Sequence, residues 1–88
     1  MRPDQLGDLA IFAAIASDRS FTRAARRLGV TQSALSQTMK RLEGQLGFRL
    51  LSRTTRSVAP TAAGERLLAA LSPALSALDQ EIEALSQT

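Results

Sequence analysis

The chain has 88 residues, 44% of them hydrophobic and 22% charged, with a formal net charge of +3 and neither cysteine nor histidine. That length makes one small domain with a limited core, and the missing residue types exclude zinc fingers, disulfide scaffolds, thiol nucleophiles and imidazole bases. No apolar run approaches the roughly 20 residues of a membrane span. The N-terminus is interrupted by acids and lacks the form of a signal peptide, so a cytoplasmic protein without a membrane partner is expected.

The first eighteen residues read as a helix. Leu6, Leu9, Ala10, Ala13 and Ala16 form a stripe at helical spacing, widened by Phe12, and Pro3 with Asp4 suits a first turn. A second, shorter helix follows. Phe21, Ala24, Ala25 and Leu28 fall at i, i+3, i+4 and i+7, one face of a helix. Ser20 stands where an N-cap belongs, and Gly29 stands where a left-handed C-terminal cap favours glycine. Val30 is a short linker and Thr31 a suitable N-cap for a third helix. So tight a connection forces the two helices to pack at a steep angle, the helix-turn-helix arrangement. The first helix supplies the third wall of a core shared with Phe21, Leu28, Leu35 and Leu42.

In the third helix, about 32–46, Leu35, Met39, Leu42 and Leu46 share a core-facing stripe. Ser33, Gln37, Lys40 and Gly44 lie opposite, flanked by Ser36 and Arg41. Gln32 lies nearer the core stripe by angle but projects forward from the first turn. The helix has no carboxylate until Glu43. Glutamine pairs bidentately with adenine, serine serves several base edges, and lysine reaches phosphate or guanine. A polar outer face is ordinarily just solvated. Here the capped helix before it and the charge distribution favour a polyanionic partner. All eleven basic residues lie at or before Arg66, against Asp4, Asp8, Asp18, Glu43 and Glu65, which gives that part +6. The last 22 residues hold Asp79, Glu81 and Glu83 with no lysine or arginine, giving −3. A basic domain is the electrostatic footprint of a nucleic-acid binder.

After Gly47, Phe48–Arg53 and Ser57–Pro60 read as a small two-stranded wing with Arg56 at its tip. Such strands are too short to stand alone and must lean on the helices. On a wing beside a recognition helix, Arg56 can reach a narrow, A·T-rich minor groove, with Arg53 near phosphates.

In the tail, Leu68, Leu71, Leu75, Leu78, Ile82 and Leu85 alternate steps of three and four, a heptad seam. Thr61 is a suitable N-cap and Glu65 lies near the positive end of the helix dipole. The globular part is too small to cover this seam, so the same segment of a second subunit is the expected partner. Pro73 removes a backbone bond and can cost about 3 kcal/mol within a helix. The alternatives are a kink near Ala69 to Pro73, or a break with Ser72 capping a new helix. The unbroken seam favours one kinked helix. Residues 1–60 are thus expected to form a DNA-binding unit and residues 61–88 a linker and dimerisation helix.

Taken together, these residues resemble the N-terminal DNA-binding domain of LysR-type transcriptional regulators. The matching positions are Leu9, Phe12, Ser20-Phe21-Thr22, Ala24-Ala25, Leu28, Gln32, Ser36, Leu42-Glu43, Leu46-Gly47, Arg53, Arg56, Thr61 and Gly64, nearly the whole chain. Ser33 stands where proline is common, Leu51 where phenylalanine is usual, and Pro60 where an apolar residue often precedes the threonine. The resemblance implies a mostly α winged helix-turn-helix followed by a long linker helix, acting as a homodimer on a pseudo-palindromic operator in double-stranded DNA. It implies base contacts from Gln32, Ser33, Ser36 and Gln37, phosphate contacts from Thr22, Thr31, Lys40 and Arg53, and Arg56 in the minor groove. No cofactor or metal is expected. The family attaches a C-terminal effector domain, which this chain lacks. Effector binding and any higher oligomer are therefore expected of a longer protein. A helix-mediated protein-interaction module is the competing reading, and an enzyme is disfavoured by the missing histidine and cysteine and by the lack of paired acids in the basic part.

Overall fold

A computed structural model describes residues 1–54 and 57–87. Four helices and one strand pair follow in the order α1 (Pro3–Asp18), α2 (Phe21–Leu28), α3 (Gln32–Leu46), β1 (Leu51–Arg53), β2 (Val58–Pro60) and α4 (Ala62–Ser86). The expected mostly α winged helix-turn-helix with a long C-terminal helix is therefore the observed fold.

Local chemistry explains where the helices stop and start. Pro3 occupies the first turn of α1 with Asp4 beside it, where a missing N–H costs nothing and a carboxylate meets the helix dipole. The Ser20 side chain accepts from the Arg23 N–H at 3.1 Å and caps α2. At the other end, Gly29 is left-handed at φ 71°. Its N–H donates to the Arg26 carbonyl at 3.3 Å, and the Val30 N–H donates to that of Ala25 at 3.0 Å. This paired closure satisfies carbonyls that the helix end would otherwise orphan. Thr31 then caps α3 through the Ala34 N–H at 3.0 Å.

Helices α1, α2 and α3 pack against one another, and α4 packs on α1 and on β2. Phe12, Ile15, Leu35, Leu42 and Leu50 are the largest fully buried side chains. The buried face of α1 is Asp8, Leu9, Phe12, Ile15 and Ala16, rotated from the stripe expected from the alanines. Leu6 is 41% exposed, as is Leu28, so neither joins the shared core. The reason lies in composition: α1 is apolar on nearly every side. Periodicity therefore chose its face poorly, whereas Phe12 and Ile15 fill more volume than alanine can. Leu28, on the last turn of α2, is left at the edge of the bundle.

The strands pair antiparallel with Leu51 opposite Pro60, Ser52 opposite Ala59 and Arg53 opposite Val58. They are shorter than the sequence suggests because the chain before β1 is tied elsewhere. The Glu43 carboxylate accepts from the Leu50 N–H at 2.6 Å and the Leu51 N–H at 3.1 Å. The Leu50 carbonyl accepts from the Thr61 N–H at 3.0 Å. Thr61 also caps α4, accepting from the Gly64 N–H at 3.0 Å, and donates to the Arg49 carbonyl at 2.7 Å. A Cβ at Gly64 would run into the Leu50 carbonyl, so only glycine lets α4 approach this closely.

Helix α4 runs without a break through Pro73. Ala69, whose carbonyl loses the Pro73 N–H, lies on an exposed side of the helix, where water can replace the missing donor. The apolar seam divides along its length. Leu71 is buried in the domain's own core, and Leu68 and Leu75 pack against that core. The core thus covers more of the seam than its size suggested. Leu78, Ile82 and Leu85 are 51%, 60% and 68% exposed.

Candidate nucleic-acid interface

The outward side of α3 carries Gln32, Ser33, Gln37 and Lys40, all exposed, and Ser36, half-buried. Thr22 and Thr31 are exposed beside it. The structure brings several of these together. The Thr22 hydroxyl donates to Gln32 Oε1 at 3.2 Å, tying the start of α2 to the first turn of α3. That bond orients the Gln32 amide and leaves its two N–H groups to donate. The Thr31 and Ser36 hydroxyl oxygens each accept a bond within the chain but keep an O–H to give.

Arg53 joins the strand pair to the helices. Its guanidinium lies 3.5 Å from the centroid of the Phe21 ring and donates to Ser36 Oγ at 2.9 Å. A planar cation over an aromatic face is attractive, and the same plane keeps further N–H donors at its rim. Arg53 is therefore held at a fixed height beside α3 while remaining exposed. A cleft runs between α3 and the strands, with Phe21 and Arg53 common to both of its halves. One half is lined by Arg19, Arg23, Gln32 and Ser57 among others, the other by Ser36, Lys40, Glu43 and Arg49. Arg56, expected in the minor groove, lies outside the described residues.

Counter-ions separate the two sides of the domain. Arg41, expected to flank the outer face of α3, turns instead to α1, where it grips both oxygens of the buried Asp8 at 2.9 and 3.1 Å. Burial of that carboxylate is sustained by this cationic partner, whose single Nη2 donates to both oxygens. Arg27 meets Asp18 at 3.1 Å and Arg49 meets Glu43 at 3.4 Å. Among the described residues, Arg19, Arg23, Arg26, Arg53, Arg66 and Lys40 have no carboxylate partner, and of these Arg19, Arg23, Arg53 and Lys40 line the cleft. Sequence reasoning missed Arg19 and Arg23. Their signal was a pair of arginines flanking the Ser20 cap, one helix ahead of the recognition helix. It also missed the structural use of Glu43, which no periodicity can show.

Among the described residues no helix is long and apolar enough to cross a membrane. Residues 6–65 match the family model described as bacterial regulatory helix-turn-helix protein, lysR family. The chain is 54% identical over 86 residues to the HTH-type transcriptional regulator PgrR of Escherichia coli K12, a match covering 98% of this chain and 29% of that protein. It thus spans less than a third of the length of that curated relative. Among solved structures it is similar to the BenM_DBD/catB site 1 DNA complex, with a TM-score of 0.82, 34% identity, and coverage of 93% of this chain and 91% of that one. It is also similar to a Corynebacterium glutamicum OxyR C206 mutant, with a TM-score of 0.84, 36% identity, and coverage of 100% of this chain and 28% of that one. The matched family and PgrR are transcriptional regulators rather than enzymes. The chain belongs to the lysR family of bacterial regulatory helix-turn-helix proteins, and its fold is that of their winged helix-turn-helix DNA-binding domain.

Proposed function

We propose that this domain binds double-stranded DNA sequence-specifically, with α3 in the major groove. One observation carries the reading: the polar side of α3 adjoins Arg19, Arg23, Arg53 and Lys40, which have no carboxylate partner, while Asp8, Asp18 and Glu43 are each paired with an arginine. The solved DNA complex of a fold neighbour supports it. Gln32, Ser33, Ser36 and Gln37 read bases. Thr22, Thr31, Lys40 and Arg53 hold phosphates, and Arg56 enters the minor groove. Gln32 and Gln37 offer amides for bidentate pairing, and the serines offer hydroxyls. Ser36 acts together with Arg53, because the two are already bonded.

A single small module makes few phosphate contacts and binds weakly. The domain therefore acts as a homodimer on a pseudo-palindromic operator, its two α3 helices about one helical turn, or a multiple, apart. The expected seam of Leu68, Leu71, Leu75, Leu78, Ile82 and Leu85 narrows accordingly. Its first half is used within the chain, and pairing falls to the far half, around Leu78 and Ile82. Any ligand sensing belongs to a longer protein, in the cytoplasm.

Selection of duplexes from a random library by the 88-residue chain tests this directly. An enriched half-site with defined spacing, bound with a steep loss of affinity as salt rises, is expected. A chain that enriches no sequence and prefers no duplex even at low salt would instead be a protein-interaction module.

A further inference from the structure

Arg19 is the single described residue other than glycine with a positive φ, 51°. It closes α1 with its N–H on the Ile15 carbonyl at 2.8 Å. A left-handed backbone is strained for an ordinary L-residue, a strain that glycine escapes and asparagine reduces. Such strain persists where a site uses the side chain. The Arg19 side chain lines the same half-cleft as Arg23, Arg53 and Gln32, and none of the residues lining it is acidic. Neither Arg19 nor Arg23 makes a side-chain hydrogen bond or ion pair to a described residue. Three guanidinium groups around one hollow repel one another, at a penalty that an anion of matching geometry removes.

We infer that Arg19 and Arg23 form a phosphate clamp for one strand of the duplex that α3 reads, with Arg53 as its third wall. This rests on the DNA-binding reading above and extends it to two residues at the α1–α2 junction. Phosphate contacts set register without reading sequence, so the clamp positions α3, through Gln32 at the cleft's edge, rather than choosing bases. The ligand is a backbone phosphodiester.

The test compares the 88-residue chain with Arg19→Asn, Arg23→Gln and the double variant by fluorescence anisotropy. The probes are the library-selected duplex and a scrambled duplex of equal length, each from 50 to 200 mM KCl. Removing one phosphate-neutralising side chain makes the plot of log affinity against log salt shallower by about 0.9. The double variant is thus expected to be shallower by about 1.8 units of slope, equally on both duplexes. Arg19→Asn is expected to melt at or above the wild-type temperature, because asparagine tolerates the left-handed backbone. An unchanged slope in the double variant, with the wild type still steeply salt-dependent, would overturn the clamp and leave DNA binding intact. An effect confined to the selected duplex would mean base reading instead, and would also overturn it. A wild-type chain that binds neither duplex would remove the DNA-binding reading itself.

Discussion

The two sides of α3 are built from the same residue types and used in opposite ways. Towards α1 and β1, Arg41 is locked on Asp8, and Glu43 holds the Leu50 and Leu51 N–H groups. On the outward side, Gln37 and Lys40 are exposed, and Arg53 is fixed by stacking on Phe21 rather than by a carboxylate. Charge on the first side is satisfied and contributes to the fold. On the second it is pre-positioned and left for an outside partner. A charged residue on a recognition helix therefore says little until its counter-ion is located.

Substitutions on the two sides should separate stability from recognition. The largest effect is expected at Gly64→Ala, where the new methyl meets the Leu50 carbonyl. Overpacking of this kind costs about 3 kcal/mol, read as a lowered urea midpoint. A midpoint like that of wild type would mean that α4 can move away from β1. Glu43→Ala leaves two backbone donors without their acceptor and should cost about 2 kcal/mol, again in urea unfolding. Gln37→Ala should behave oppositely. Stability stays within about 0.5 kcal/mol, while affinity for the selected duplex falls by about 1–2 kcal/mol and affinity for scrambled DNA barely changes. Equal reductions on both duplexes would remove Gln37 from base reading.

A similar contrast divides α4. Leu71 serves the domain's own core, whereas Leu78 and Ile82 are open. Leu78→Asp should leave the melting of the domain nearly unchanged while sedimentation shows a monomer. A dimer that survives this change would place the interface elsewhere.

Several features were legible because they depend on neighbours in the chain. Ser20, Thr31 and Thr61 cap helices within three residues, and Gly29 and Gly47 close helices with φ of 71° and 85°. The core stripe of α3 was legible too, since Leu35, Met39, Leu42 and Leu46 are the large apolar side chains of an otherwise mostly polar helix. The face of α1 was not, because nearly every side of it is apolar. Nor was the exposure of Leu28, which depends on where the bundle ends.

By itself, the sequence determined the helix-turn-helix, its caps, the wing after Gly47 and the polar face of α3, all set by spacings of a few residues and by backbone preferences that act locally. Only the tertiary structure decided which arginines keep their charge for a partner, how Arg53 is held against Phe21 and Ser36, and how much of the α4 seam remains open. Those outcomes join residues far apart in the chain: Asp8 and Arg41 are 33 positions apart, and the packing of α4 on α1 spans more still. Desolvation and charge pairing act through space, so no periodicity along the chain encodes them.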